Sequence, residues 1–70
     1  MKDGTQTQAA DQAYQHLRGS IMSGELAAGT RLVERALAEE LNVSRTPIRS
    51  AITRLIHEGF VERGEGYSTR

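Results

Sequence analysis

Cysteine is absent from this chain of 70 residues. Without thiols, the fold has neither a disulfide framework nor a thiolate-bound metal to stabilise it. Long apolar runs are absent too, since no segment approaches the roughly 20 apolar residues that a membrane-spanning helix needs. The N-terminus also lacks the apolar stretch of a signal peptide. We therefore expect a soluble, cytoplasmic protein that makes no contact with a membrane.

Aromatic residues make up only 4% of the chain, and nine basic residues balance nine acidic ones. So few aromatic rings leave little support for single-strand binding by base stacking. A net charge of zero argues against a generally basic nucleic-acid-binding domain, but the charges are unevenly distributed. The segment from Ser44 to His57 contains three arginines and no carboxylate. One face is therefore expected to be locally positive, and arginine suits bidentate contacts there.

No group of residues indicates a metal site or an enzyme. His16 and His57 lie 41 positions apart, and the glutamates lack the spacing of metal ligands. Glu39 and Glu40 are explained better by a charged outer helix face than by acid–base chemistry. Residues 64–66, Gly-Glu-Gly, lack the context of a phosphate-binding loop and instead predict a hairpin turn that requires positive φ. The sequence thus predicts no metal, no cofactor and no catalytic residue.

Residues 42–51 form the most informative segment of the chain. Ser44 predicts a helix start, because its hydroxyl can accept a hydrogen bond from a first-turn N–H, and Pro47 is tolerated in that turn. Arg45 and Arg49 lie one helical turn apart near this start. The opposite side carries the apolar residues Ile48, Ile52, Leu55 and Ile56. One face suits a core, and the other suits an anion, because arginine forks match guanine edges and phosphates.

A short amphipathic helix is predicted before this segment and a hairpin after it. Residues 34–41 carry an apolar stripe, and Asn42-Val43 forms a tight joint to the next helix, which is the helix-turn-helix pattern. Gly59 offers a left-handed position that ends the following helix. Residues 60–63 and 67–70 then predict two strands around a glycine-rich turn, which is a wing. The expected core of this unit is Leu37, Leu41, Ile48, Ile52 and Leu55.

The N-terminal part of the chain is predicted to add one more helix. Residues 1–9 contain nothing to bury and are predicted to form a disordered tail. The helix should start near Ala10 or Asp11 and end at Met22 or Ser23. Its apolar stripe is Ala13, Tyr14, Leu17 and Ile21.

A short strand at residues 31–33 is expected to pair with the wing. The predicted fold is therefore mainly α with a small β-hairpin wing. It is a winged helix-turn-helix domain over residues 10–70, with three helices and a two- or three-stranded sheet.

These residues resemble the GntR family of bacterial winged helix-turn-helix transcription regulators. The similarity runs from Tyr14 to Tyr67 and is carried by residues 21–26, 29–32, 34–35, 37–41, 43–49 and 58–61. The Ser-Arg-Thr-Pro-Ile-Arg run is most similar to the branch that carries an all-helical effector domain downstream. Two positions depart from the pattern: Val33 replaces a capping Ser or Asn, and Ser50 replaces a common acidic residue.

The resemblance implies a repressor that binds double-stranded DNA in a sequence-specific way. Helix 44–58 would lie in the major groove, and the wing, residues 60–70, would lie at the minor groove. Arg45 and Arg49 would read guanine edges, while Ser44, Thr46 and nearby backbone N–H groups would hold phosphates. Arg35 is expected to be a further DNA contact by resemblance alone. Gly66 is expected to be another, because a glycine lets the wing backbone approach the DNA.

The resemblance also implies a short inverted-repeat site with GT and AC steps, bound by two copies. Dimerisation is expected on DNA or through the downstream effector domain, and no small-molecule ligand is expected in this chain. The main alternative is a winged-helix module for protein–protein interaction, which would tolerate a zero net charge. An RNA-binding winged helix is less favoured, because an Arg-bearing helix fits the wide major groove of DNA better than the narrow one of RNA.

Overall fold

Three helices and three short strands make up the fold. The computed structural model describes residues 4–70, and their side chains from residue 8 on. The elements are α1 (Gly4–Met22), β1 (Arg31–Leu32), α2 (Glu34–Leu41), α3 (Arg45–His57), β2 (Val61–Arg63) and β3 (Tyr67–Thr69). This arrangement confirms the predicted fold class of three helices with a small β-sheet wing.

The first helix begins earlier than the sequence predicted. The expected start near Ala10 or Asp11 is wrong, because α1 begins at Gly4. The part of the predicted tail from residue 4 on thus belongs to this helix, and residues 1–3 lie outside the described residues. Once a helical turn exists, extending the helix by one more residue costs little free energy. Two good helix formers, Ala9 and Ala10, connect the predicted helix to the additional residues at its N-terminus.

The core lies between α1 and α3. The α3 side chains Ile48, Ile52 and Leu55 are fully buried, and they form one cluster with Ala13 and Leu17 of α1. The predicted core is confirmed for the three α3 residues, whereas the two α2 residues, Leu37 and Leu41, are only partly buried at its edge. Because α2 has eight residues and one buried side chain, Ala38, α1 covers most of the apolar face of α3 instead.

The joint between α2 and α3 is as short as predicted. Asn42 ends α2 in the left-handed conformation, with φ of 59°, and its N–H donates to the carbonyl oxygens of Ala38 and Glu39. Ser44 is the extended residue immediately before α3, which confirms the predicted helix start, but its hydroxyl makes no capping hydrogen bond, and that part of the prediction is wrong. Pro47 removes one of the two N–H groups that such a hydroxyl can bind, because it occupies the third helical position and proline has no N–H.

The wing is part of a three-stranded antiparallel sheet. Its strand order is β1-β3-β2, so the predicted short strand at residues 31–33 does pair with the wing, although it spans two residues only. Thr69 anchors the central strand, since its buried hydroxyl donates to the Ala27 carbonyl at 2.6 Å and accepts from the Thr30 N–H at 3.0 Å. These bonds hold the sheet against the loop that follows α1.

Two turns of the chain use glycine in different ways. Gly59 has φ of 87° just after α3, which confirms it as the left-handed position that ends the helix. The wing turn at residues 64–66 is closed by a hydrogen bond from the Gly64 N–H to the Gly66 carbonyl at 2.7 Å. Neither Gly64 nor Gly66 has positive φ, so the prediction that the wing turn requires positive φ is wrong. Backbone conformation therefore does not require glycine at position 66.

Candidate nucleic-acid interface

An open groove runs from the start of α3 to the wing. Its volume is about 620 Å³, and it is bordered by the start of α2, by β1 and by β3. Its charged lining residues are Arg31, Glu34, Arg35, Arg45, Arg49 and Arg63. With five arginines and one glutamate, the groove has a formal charge of +4, although the whole chain is neutral. The local excess of positive charge that the sequence predicted is thus found on one surface, the groove.

Glu34 lies between the two arginines of α3. Arg49 donates to this carboxylate from Nε and from Nη2, each at 3.3 Å from an oxygen. The Nη2 atom of Arg45 lies 3.5 Å from the same carboxylate. The Glu34 side chain is 12% exposed, whereas those of Arg45 and Arg49 are 60% and 61% exposed. One carboxylate at the base of the groove therefore orients two guanidinium groups that remain open to solvent.

The contact between Glu34 and Arg49 also changes how these two groups titrate. The hydrogen bonds from Arg49 hold the pKa of Glu34 below its usual value, and Arg45 and Tyr67 add smaller contributions in the same direction. The pKa of Arg49 is raised, chiefly by its hydrogen bond to Glu34. Glu34 and Arg49 are therefore both charged at neutral pH, and their ion pair persists across the physiological range.

The contact with Glu34 leaves Arg49 able to bind a second acceptor. A guanidinium has five N–H donors, and the contact with Glu34 uses the edge formed by Nε and Nη2. The edge formed by the two terminal nitrogens remains available for a bidentate contact. Both O6 and N7 of guanine, or two oxygens of a phosphate, match that edge.

The structure brings four of the six predicted site residues to the groove. Arg35, Arg45, Arg49 and Gly66 all line it. The Arg35 side chain is 79% exposed, and its Nε lies 3.8 Å from the Glu39 carboxylate one turn further along α2. The other two predicted residues, Ser44 and Thr46, are exposed at the start of α3 but are not among the lining residues.

Sequence reasoning missed three charged residues of the groove, Glu34, Arg31 and Arg63. Arg31 and Arg63 take part in none of the ion pairs within 4.0 Å that the described residues form. Arg31 lies in the predicted strand at residues 31–33 and Arg63 in the predicted wing strand at residues 60–63, so the predicted pairing of that strand with the wing would have indicated that both belong to one sheet. Glu34 gave no such signal, because its contact with Arg49 depends on how two helices cross.

Other kinds of site have little support in the described part of the chain. Residues 4–70 contain no group of three or more His, Asp or Glu side chains that could hold a metal ion. Within the same residues, each helix is too short or too polar to span a bilayer.

Comparison with known proteins identifies the family. The family model "Bacterial regulatory proteins, gntR family" matches residues 9–70. The protein named "Probable rhizopine catabolism regulatory protein MocR" of Rhizobium meliloti is 41% identical over 83% of this chain and 12% of its own length. An uncharacterised HTH-type transcriptional regulator in an unstable DNA locus of Streptomyces ambofaciens is 43% identical over 70% of this chain and 21% of its own. The chain thus spans a small part of the length of these relatives.

A solved structure supports the same assignment. The crystal structure of a GntR-family transcriptional regulator from Pseudomonas syringae pv. tomato superposes with a TM-score of 0.80 at 32% identity, covering 87% of this chain and 27% of that one. The family consists of regulatory proteins rather than enzymes, which supports a non-enzymatic role. The family match, the relatives and the fold agree: this chain belongs to the GntR family of bacterial transcription regulators and corresponds to its winged-helix DNA-binding domain.

Proposed function

We propose that this chain binds double-stranded DNA in a sequence-specific way, with α3 in the major groove and the wing at the adjacent minor groove. The observation that carries this proposal is the groove itself, in which five arginines and one glutamate connect the start of α3 to the wing. Such a local excess of positive charge suits the DNA backbone, while the rest of the chain, which carries a formal charge of −4 because the whole chain is neutral, limits non-specific binding.

Arg45 and Arg49 are the proposed base readers. Their side chains are mostly exposed, and the pairing with Glu34 orients them before DNA arrives. Ordering a free arginine on binding costs side-chain entropy, so this preorientation favours affinity and selectivity together. The terminal nitrogens of each guanidinium can then fork onto O6 and N7 of one guanine.

The other predicted residues are proposed to position the domain. Ser44 and Thr46 present hydroxyls at the start of α3, where backbone N–H groups and the helix dipole favour a phosphate. The hydroxyl of Ser44 makes no capping bond and is therefore free for such a contact. Arg35 is proposed to bind the backbone from the start of α2, and Gly66 belongs to the wing tip.

The wider biological role follows from the family. We infer a repressor that acts in the bacterial cytoplasm, where its DNA is, and that binds a short inverted repeat as two copies. The largest apolar stripes of the described residues are used in the core between α1 and α3. We therefore expect this chain alone to be a monomer that dimerises only on DNA, and sedimentation without DNA checks this.

Selection of duplexes from a random pool is the direct test of the function. The selected half-site should contain at least one guanine per arginine reader, and it should bind more tightly than random duplex. The log–log dependence of affinity on salt should have a slope near −3 if about three to four phosphates are contacted per copy. Binding to all duplexes with equal affinity would contradict the proposal that the chain binds DNA in a sequence-specific way. Salt-insensitive binding to protein instead of DNA would favour the protein-interaction alternative.

A further inference from the structure

Gly66 lies directly against the side chain of Arg31. A Cβ atom placed on Gly66 would lie 3.0 Å from Nη2 of Arg31 and 3.3 Å from its Nε. Since Gly66 does not have positive φ, its backbone conformation is open to other residues. Space for the guanidinium is therefore the feature of this position that favours glycine.

The strand register explains how Arg31 reaches the wing tip. Arg31 of β1 is paired with Ser68 of β3, and Gly66 precedes Ser68 by two residues. Arg31 and Ser68 are directly opposed and therefore lie on one face of the sheet, and Gly66, just before β3 begins at Tyr67, lies beside the Arg31 side chain at the end of that face. The Arg31 side chain extends along that face, diagonally from Ser68 to Gly66. Its guanidinium is thus held beside the wing turn.

Arg31 presents a positive charge at the junction of two cavities. It lines both the groove of about 620 Å³ and a second cavity of about 370 Å³ on the wing. Glu62 and Glu65 also line the second cavity, yet neither forms an ion pair with Arg31 within 4.0 Å among the described residues. The charge of Arg31 is consequently not offset by a paired carboxylate within the described residues, whereas that of Arg49 is offset by Glu34.

We propose that Arg31 binds a DNA backbone phosphate beside the wing, and that Gly66 serves this contact by leaving room for the guanidinium. This inference rests on the proposed function and adds a phosphate-binding residue to it. The contact is independent of sequence, because it is made to the backbone at the edge of the site. It also assigns Gly66 a role through Arg31 rather than through its own approach to DNA.

A double-mutant cycle tests the proposal. Arg31→Ala should lower affinity for the selected site and for random duplex by the same factor, about eightfold at 0.1 M salt, and should reduce the salt slope by about 0.9. Gly66→Ala should lower affinity by about two- to fourfold, because the guanidinium must shift to accommodate the methyl group. In the Arg31→Ala background, Gly66→Ala should have no further effect.

Arg18→Ala is the matched control, since it removes one positive charge from a residue that lines neither cavity. It should change affinity by less than about twofold. Thermal melting should show that the Arg31 and Gly66 variants stay folded. In the free protein, nuclear Overhauser contacts between Gly66 Hα and the Arg31 side chain should be present and should weaken in Arg31→Lys.

Three results would overturn the proposal. An equal loss from Gly66→Ala in both backgrounds would mean that Gly66 approaches DNA independently of Arg31. A loss from Arg31→Ala at the selected site alone would make Arg31 a base reader. An Arg31→Ala variant with unchanged affinity and salt slope would remove its role altogether. If the unmodified chain binds no duplex, the proposed function itself fails, whereas the contact between Arg31 and Gly66 is still decided by the Overhauser measurement.

Discussion

The two faces of α3 have opposite properties. Ile48, Ile52 and Leu55 are 0% exposed, whereas the side chains of Arg45 and Arg49 are 60% and 61% exposed. The two sets recur at intervals of three and four residues, so a single helix carries both a core face and a groove face. Stability and DNA recognition should therefore be separable by substitutions within the 13 residues of this helix.

The core face should give the largest effect. Ile52→Ala removes three carbons from a fully buried position and should destabilise the domain by about 2–5 kcal/mol, which is much of what a domain of this size has. Chemical denaturation followed by circular dichroism measures the change. Thr53→Ala, at the exposed neighbouring position, is the matched control and should change stability little. If Ile52→Ala unfolded at the wild-type midpoint, the division of α3 into two faces would be wrong.

The groove face should affect binding without affecting stability. Arg45→Ala or Arg49→Ala should weaken binding to the selected site by about 1–3 kcal/mol and relax the preference at one guanine. Arg49→Lys sharpens the comparison, because it keeps the charge but loses the fork, so it should bind random duplex normally and discriminate poorly. Titrations of selected and mismatched duplexes measure both quantities. Full affinity in both alanine variants would mean that α3 is not the recognition element.

Glu34 is expected to have two opposite effects on binding. Glu34→Gln removes the one negative charge of the groove, so affinity for random duplex should rise by about threefold or more. The arginines also lose their orienting partner, so the ratio of selected to random affinity should fall. Glu25→Gln removes the same charge from a residue outside the groove and controls for net charge. An unchanged ratio would show that the arginines need no orientation by Glu34.

The smallest effect should appear in acid. The pKa of Glu34 is lowered by Arg49 in the folded chain, so the folded state binds fewer protons there than the unfolded state. This stabilisation is present above the unfolded pKa of about 4.3 and is lost as pH falls through the lower folded value. Because the Arg49 side chain is 61% exposed and solvent screens the pair, this stabilisation should not exceed about 1 kcal/mol. As the pH is lowered from neutral to 3, the denaturation midpoint should fall less steeply for Glu34→Gln than for wild type. Parallel curves of midpoint against pH would mean that the pair of Glu34 and Arg49 does not stabilise the folded state.

Much of the helical framework could be predicted from the sequence. The bounds of α2 and α3 follow from local signals: an apolar period, Asn42 in the joint and Gly59 after α3. The start of α1 could not be located in this way, because residues 3–11 offer several residues of capping type, Asp3, Thr5, Thr7 and Asp11, and so several possible starts. The backbone conformation of the wing turn was predicted wrongly, because glycine permits positive φ without requiring it.

By itself, the sequence determined the order of the elements, the two faces of α3 and the candidate readers Arg45 and Arg49, because helix and strand periods act between near neighbours in the chain. Only the tertiary structure decided what these arginines contact. Glu34 lies 15 positions from Arg49, and Arg31 lies 35 positions from Gly66, so both contacts depend on how separate elements pack and pair. That packing follows from burial of the core between α1 and α3, whose residues carry no information about which charges will meet on the surface.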